Sequence, residues 1–378
     1  MSVLSALSVS RTPAIGFAIV GLFWGGFATM VPELKAGLGA SDALFGTLLL
    51  GTSVGLLATM YLAPALDRAL GRWSMVAGAV ALALAFVAPG LVSSPMWFFV
   101  AMVFCGMASG LLDVIMNARV SELEEVHKRP LMNANHGIFS VAYAVSALCT
   151  GFAREAALAP VLVFATIGVV VLLAVARLTM PPAEVQDAPE GQGRFPVGIV
   201  LLCGAVVMVA FMVEASVEAW SALHLERTLG GRAAEGALGP AMLGITMAVG
   251  RFGGQAVSER LSDLAVIFAG VALALVGVAL VVAAQVTWVA YLGFGAMGLG
   301  ISAIGPIGLA LVGRLVPPHA RTKAISRAAV MGFMGFFLAP AAMGLISEGY
   351  GLRVAFAAVG LLVVTLVPLA LMLRARGA

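Results

Sequence analysis

Two pairs of polar residues interrupt long apolar stretches of the sequence. Asp113 and Asn117 are four positions apart, and so are Glu214 and Glu218. This spacing places both members of a pair on one face of a helix. A carboxyl group in a medium of low dielectric favours its protonated form, and two carboxylates at this spacing repel each other. Asp113, Glu214 and Glu218 are therefore predicted to take up and release protons.

A third polar group follows the first pair along the chain. His136 and Tyr143 are spaced to share a helix face, and Asn133 lies one turn before His136. We expect Asp113 and His136 to lie at similar depth on adjacent helices, where the imidazole would tune the proton affinity of the carboxyl group. Amide, imidazole and phenol groups also suit hydrogen bonds to a polar solute, so we predict solute contacts at Asn117, Asn133, His136 and Tyr143.

Two single residues complete the predicted site. Arg251 interrupts another apolar run, where it could bind an anionic group or pair with a carboxylate. Trp24 lies among other aromatic residues and could stack against a sugar ring. We predict that both contact the solute.

The composition decides what surrounds these residues. Charged residues make up 10% of the chain and hydrophobic residues 62%, with a mean hydropathy of +1.09. An average soluble domain has about 25% charged residues, and a soluble protein of this length needs a polar surface. The apolar runs are long and continuous rather than alternating, which predicts an all-α membrane protein.

The apolar runs number twelve and divide into two sets of six. A spanning helix needs about 20 residues, and the short connections between runs predict antiparallel neighbours. A segment rich in proline, glycine and acidic residues separates the sixth run from the seventh, as flexible linkers do. We predict a first six-helix bundle over residues 1–178, a cytoplasmic linker over 179–196 and a second six-helix bundle over 197–378.

The basic residues orient the helices. An even number of spans places both termini on one side, and segments on that side carry roughly three times as many lysines and arginines as those on the other. Cytoplasmic loops are enriched in positive charge, so we predict cytoplasmic termini. Trp220, near the end of the seventh run, is predicted to anchor its helix at the membrane interface.

The two halves are similar in sequence. A shift of 195 residues without gaps aligns glycines and basic residues across one helix–loop–helix segment. Parallel repeats of this kind are typical of transporters whose substrate site lies between the halves. The aligned pairs are Gly55 with Gly250, Gly110 with Gly305, Arg119 with Arg314, Lys128 with Lys323, and Gly137 with Gly332.

The loop between the second and third runs carries a motif. It contains Asp67-Arg68 followed by Gly71-Arg72. It resembles the signature loop of the major facilitator superfamily, although Pro64 and Ala65 stand where a glycine is usual. The second half keeps only Glu259, Arg260 and Asp263 of this motif. The resemblance implies the major facilitator fold, with two pseudo-symmetric six-helix bundles that rock to give alternating access.

Four further segments look like the fucose permease branch of that superfamily and related bacterial inner-membrane carriers. This resemblance implies a proton-coupled symporter of a sugar- or polyol-like solute in a bacterial inner membrane. Its partners would be a small-molecule solute, protons and the lipid bilayer. One chain supplies both halves, so a monomer suffices. The segments are Asp113–Asn117, Asn133–Gly137, Glu214–Trp220 and Gly250–Phe252.

Signals for other functions are missing from the sequence. It has no GxxxxGK[ST] phosphate loop, no HExxH motif and no paired CxxC motif, and its four histidines are dispersed. We therefore expect neither an enzyme nor a bound cofactor or metal, and no nucleic-acid partner.

Structural roles remain open for each of these residues. Asp113 and Asn117 could cap the end of their helix, and Glu218 could be a solvated helix end. Arg251 could extend to the lipid headgroups, and aromatic residues such as Trp24 commonly serve in packing.

Two functional alternatives also remain open. The acidic residues could recognise a cation in a proton-antiport exporter of drugs or metabolites, because a membrane-embedded acidic pair with many aromatic residues suits cationic amphiphiles. The chain could also be a non-transporting membrane sensor, although such proteins usually add a soluble domain or a long loop.

Overall fold

The computed structural model of the protein describes residues 3–181, 197–258, 261–317 and 320–376. Within these ranges the regular secondary structure is helical and no strand is present, which confirms the predicted all-α class. Most of the predicted linker lies outside the described residues, as do Glu259 and Arg260 of the second-half motif.

The described residues form sixteen α-helices joined by short turns. The first half contains α1 (Val3–Val9), α2 (Arg11–Gly37), α3 (Asp42–Leu48), α4 (Leu50–Leu70), α5 (Ser74–Ala85), α6 (Pro95–His127), α7 (Met132–Glu155) and α8 (Pro160–Ala174). The second half contains α9 (Val197–Leu223), α10 (Ala233–Gly236), α11 (Leu238–Ser258), α12 (Asp263–Ala283), α13 (Thr287–Ile301), α14 (Ile304–Leu315), α15 (Arg321–Val364) and α16 (Leu366–Arg374). A π-helical turn, His224–Thr228, extends α9.

The membrane crossings follow from helix length. Ten helical stretches in the described ranges are long and apolar enough to span a bilayer, but two of them have 49 and 52 residues. A straight helix of 49 residues would be about 74 Å long, more than twice the hydrocarbon thickness. These two stretches break at Gly71 (φ 55°) and Gly351 (φ 82°), where glycine adopts a left-handed backbone without a Cβ clash. Each stretch therefore crosses twice, and the twelve predicted spans are confirmed.

The two halves repeat the same helix pairs. In the first half α2 packs on α7 and α4 on α6; in the second half α9 packs on α15 and α11 on α13. The sequence shift of 195 residues also has a structural counterpart. Arg119 forms an ion pair with Asp67 at 2.8 Å, and Arg314 pairs with Asp263 in the other half. These matching pairs support the predicted pseudo-symmetry.

The odd-numbered spans all run in one direction, so the bundle has two distinct sides. We call the side that carries Arg11 and Arg374 the terminal side, and the opposite one the distal side. The last turn of α4, with Asp67, lies on the terminal side, whereas the start of α3, with Asp42, lies on the distal side.

Glycines allow backbones to touch where helices cross. A Cβ added to Gly25 of α2 would lie 2.1 Å from the carbonyl oxygen of Tyr143 on α7. A Cβ on Gly106 of α6 would lie 1.9 Å from the carbonyl oxygen of Thr52 on α4. In lipid, such close packing replaces much of the hydrophobic driving force between helices.

We predict that Gly25→Ala destabilises the protein, because its methyl group would collide with the α7 backbone. Overpacking of this kind costs about 1–3 kcal/mol. Gly37→Ala on the same helix is the matched control, since a Cβ there meets no atom within 4 Å. Thermal unfolding of both purified variants in detergent checks this, and equal melting temperatures would show that the α2–α7 contact is not tight.

Candidate functional site

A buried ion pair lies where the two halves meet. Glu214 of α9 accepts a hydrogen bond from Nη2 of Arg251 on α11, at 3.3 Å. Nη1 of Arg251 donates to the hydroxyl oxygen of Ser140 on α7, at 2.6 Å. Glu214 is 6% exposed, and a carboxylate at membrane depth is costly without a partner. Because α7 belongs to the first half, Arg251 bridges the halves through its second nitrogen.

Aromatic groups enclose this bridge. The Arg251 guanidinium lies 6.0 Å from the ring centroid of Phe139, within the range of a cation–π contact. The ring of His136, one turn before Ser140, packs edge-on against Phe17 with centroids 4.7 Å apart. Nη1 of Arg251 also reaches the backbone oxygen of His136 at 3.4 Å. The structure thus places the His136 backbone next to the Arg251 guanidinium.

Tyr143 provides an unused polar group beside the bridge. Its side chain is 1% exposed, and its hydroxyl has no hydrogen-bond partner within the described residues. Tyr143 is held from both sides, because Gly25 and Gly244 leave room for it on α2 and α11. A buried hydroxyl without a partner is costly, so this position favours an occupant that is polar.

Glu218 lies one turn beyond Glu214 on α9. It is partly buried, and its charge lies close enough to interact with Glu214 and Arg251. Arg251 therefore pairs with Glu214 and lies within electrostatic range of a second carboxyl group, Glu218. Among the residues that the structure describes, no cluster of three or more His, Cys, Asp or Glu side chains could hold a metal ion.

Asp113 and Asn117 form a second polar pair on α6. The Asn117 amide donates to Oδ1 of Asp113 at 3.1 Å and to its backbone oxygen at 2.8 Å. One turn earlier, the Ser109 hydroxyl accepts a hydrogen bond from the indole nitrogen of Trp24 at 3.0 Å. Ser109 and Asp113 share a helix face, so Trp24 lies on the same side of α6 as the Asp113–Asn117 pair.

Other residues that the sequence grouped share no polar contact in the described part of the chain. Within the described ranges, no hydrogen bond or ion pair joins Asp113 to His136. Asn133 is exposed near the start of α7, whereas Asn135 is fully buried and donates to Ser10 at 2.9 Å. Sequence spacing alone could not tell which asparagine faces inward.

The prediction for Trp220 was wrong. Its side chain is fully buried and packs edge-on against Phe45, with ring centroids 6.4 Å apart. The helical path of α9 continues to Thr228 through the π-helical turn, so Trp220 lies two turns inside the span rather than at the interface.

The signature loop has a structural role at the terminal side. Asp67 accepts hydrogen bonds from Arg119 at 2.8 and 3.0 Å and from Ser74 at 2.6 Å. Gly71 makes the turn, the Arg72 guanidinium lies over the Trp73 ring at 5.2 Å, and Arg68 is exposed. Arg119 is 1% exposed, so this loop is fixed to α6 by a buried charge.

Sequence reasoning missed a set of charged residues on the distal side. In the sequence they are charged residues near predicted helix ends, which is a common position for charges. Only the tertiary structure shows that they form ion pairs, two of which cross between the halves. No local spacing signals these contacts. The residues are Glu33, Asp42, Arg154, Glu226 and Arg227.

Twelve crossings in two repeated halves, with buried charges between the halves, define a polytopic helical carrier. The sequence profile of the Major Facilitator Superfamily matches residues 14–291 and 202–377. An uncharacterized MFS-type transporter of Yersinia pestis is 30% identical over 365 residues, which cover 95% of this chain and 94% of the relative. The chain belongs to the Major Facilitator Superfamily and is a multi-pass membrane transporter of the secondary type.

Solved structures share this fold. A bacterial homolog of the human lysosomal transporter Spinster, in an inward-facing and unoccupied conformation, has a TM-score of 0.78 and 14% identity, covering 98% of this chain and 97% of that one. A D-xylose-proton symporter has a TM-score of 0.75 and 15% identity, covering 97% of both chains. At these identities the likeness shows the fold alone.

We predict that Arg251→Met lowers the melting temperature, because it leaves Glu214 buried without its counter-charge. Removing one partner of a buried pair costs about 3 kcal/mol or more. Glu214→Gln added to Arg251→Met removes the unpaired charge and should restore part of the loss. Thermal unfolding of the two variants checks this. If the double variant is no more stable than Arg251→Met, the pair does not stabilise the core.

Proposed function

We propose that this transporter moves a small polar solute, sugar- or polyol-like, by alternating access coupled to protons. The observation that supports this most is the Glu214–Arg251–Ser140 bridge, in which one buried guanidinium contacts a carboxylate of its own half and a hydroxyl of the other. Such a bridge can connect a protonation step to the contact between the halves.

The proposed coupling follows from charge balance. When Glu214 carries a proton, Arg251 loses its counter-charge and can turn to Glu218 or to a solute oxygen. Its hydrogen bond to Ser140 then weakens or breaks, which changes the contact between the halves. Protons and solute shift the equilibrium only through unequal affinity for the two conformations. Asp113, held by Asn117, is the second proton carrier in this proposal.

The lining favours a hydroxylated solute. Asn117, His136 and the unpaired Tyr143 hydroxyl offer donors and acceptors, and Trp24 offers an aromatic face. Hydroxyl groups can satisfy such mixed partners, and a sugar ring packs well on an indole. The fold shared with a D-xylose-proton symporter is compatible with this substrate class.

An exporter of cationic compounds is the second candidate. The observation that favours it is the excess of carboxyl groups. Glu214 and Glu218 lie within electrostatic range of one Arg251, and within the described ranges the charged side chain of Asp113 has only the Asn117 amide as its partner. In that case the proton and the cation would compete for the same carboxylates. For either function we propose a bacterial inner membrane, cytoplasmic termini and a functional monomer.

Reconstituted protein tests the proposal. We expect one class in a panel of sugars, polyols, organic acids and cationic drugs to drive proton movement in proteoliposomes. Asp113→Asn and Glu214→Gln should abolish solute accumulation driven by a pH gradient. A variant that loses only the coupling to protons should still exchange labelled for unlabelled solute at equal pH, because exchange needs no net proton movement.

Glu125→Gln serves as the control, since Glu125 is exposed on the terminal side. This substitution should leave transport unchanged. Solute flux without proton movement, or wild-type accumulation in both test variants, would refute proton coupling through these residues. Proton release driven by cationic drugs alone would favour the exporter.

A further inference from the structure

The distal side contains a charge cluster centred on Asp42. This carboxylate is 5% exposed. It accepts hydrogen bonds from Nη1 and Nη2 of Arg227, at 2.7 and 2.5 Å. It also pairs with the ammonium group of Lys35 at 3.0 Å. Asp42 and Lys35 belong to the first half and Arg227 to the second. We call these three residues the Asp42 cluster.

A second cluster, centred on Arg154, has the opposite signs. Arg154 is 6% exposed and donates to both carboxylate oxygens of Glu226, at 2.7 and 2.8 Å. It also forms an ion pair with Glu33. Arg154 and Glu33 belong to the first half and Glu226 to the second. We call these three residues the Arg154 cluster.

The clusters share one design. In each, the central charge has one charged partner in its own half and one in the other half; Asp42 also accepts a hydrogen bond from Ser347 and Arg154 donates to the carbonyl oxygen of Ala233, both in the second half. The charged partners from the second half are adjacent in sequence, Glu226 and Arg227, on the π-helical turn that ends α9. Glu226 therefore joins the first-half pair of Arg154 with Glu33, and Arg227 joins the first-half pair of Asp42 with Lys35.

Two consequences follow for separation of the halves. Lys35 and Arg227 repel each other across the interface, as do Glu33 and Glu226. Closing the distal side therefore brings two like charges together in each cluster. When the second half withdraws, Asp42 keeps Lys35 and Arg154 keeps Glu33. A buried charge left alone is strongly destabilising, and the partner in the same half avoids that cost.

The surroundings show that these clusters must part for the distal side to open. Next to the Asp42 cluster the backbones of α3 and α15 touch, because a Cβ on Gly344 would lie 2.4 Å from the carbonyl oxygen of Asp42. Lys35, Asp42 and Arg227 also border a cavity of about 700 Å³. Water in this cavity can solvate Arg227 as it leaves Asp42.

We propose that Glu226 and Arg227 form an exchangeable latch that holds the distal side closed, and that Lys35 and Glu33 are its built-in release partners. The latch residues stabilise the closed form. The release partners weaken it by competing for Asp42 and Arg154. This proposal rests on alternating access, but its test needs no solute, so its failure would leave the proposed substrate and coupling untouched.

Substitutions within one cluster should act in opposite directions. Arg227→Met and Lys35→Met each remove one cation from Asp42, yet the first should open the distal side and the second should close it. Both are made in a Glu226→Gln background, where loss of the other latch residue leaves both forms populated. We expect each to change the ratio of closed to open protein about fivefold, the size of a partly exposed charge interaction.

Pulsed electron spin resonance on the full chain in liposomes measures that ratio. Spin labels at Leu158→Cys and Val286→Cys report the distance between the halves, because both positions are exposed on distal loops. Cys149 is exposed and is replaced by serine, whereas Cys105 and Cys203 are buried and stay. Glu33→Gln in an Arg227→Met background repeats the release test on the Arg154 cluster, where the latch residue Glu226 is intact.

Arg353→Met is the control. Arg353 borders the same cavity, but its hydrogen bond to the carbonyl oxygen of Val282, at 2.6 Å, stays within the second half. It should leave the distances unchanged. The proposal is overturned if Lys35→Met and Arg227→Met shift the distances in the same direction, or if Glu226→Gln with Arg227→Met leaves the distal side as closed as wild type.

Discussion

The structure depends on one constraint, that a charge at membrane depth needs a partner on a neighbouring helix. Only 10% of the residues are charged, and the fully buried charges in the described part of the chain, Asp42, Arg119, Arg154 and Glu214, are paired across helices. Asp67 with Arg119 fixes a loop to α6, and Glu214 with Arg251 fixes α9 to α11. An alternative packing would leave such charges unpaired in a low dielectric, which is expensive. The few charges therefore select one arrangement among many apolar helix pairs.

Close backbone contacts complement these ion pairs. Lipid is as apolar as leucine, so apolar side chains alone do not choose neighbours. Gly25 brings α2 against the backbone of α7 at Tyr143, and Gly244 brings α11 against the Tyr143 ring. The same contacts position the candidate site, since they hold the Tyr143 hydroxyl within electrostatic range of Glu218 and Glu214. The Gly25 contact thus holds Tyr143 within the first half, whereas the Gly244 contact crosses to the second half.

The parts of this structure that are local in sequence were predictable. The number of spans follows from the length of apolar runs, and the hydrogen bond between Asp113 and Asn117 follows from their spacing of four residues. The partner of Arg251 was not predictable, because Glu214 and Ser140 come from different helices and different halves. The prediction for Trp220 was wrong for another reason. The apolar run in the sequence ends near Trp220, but the helix continues past it to Thr228.

The candidate site and the distal latch lie on one helix. Glu214 and Glu226 are twelve residues apart along α9 and its π-helical turn, about 18 Å at the rise of an α-helix. In the proposed mechanism, loss of the Glu214 charge releases Arg251 from Ser140, so α9 and α11 lose a contact with the first half together. A shift of α9 then also withdraws Glu226 and Arg227 from Arg154 and Asp42. Because α9 carries both Glu214 and the latch residues, the proton site and the distal side can be coupled through this one helix.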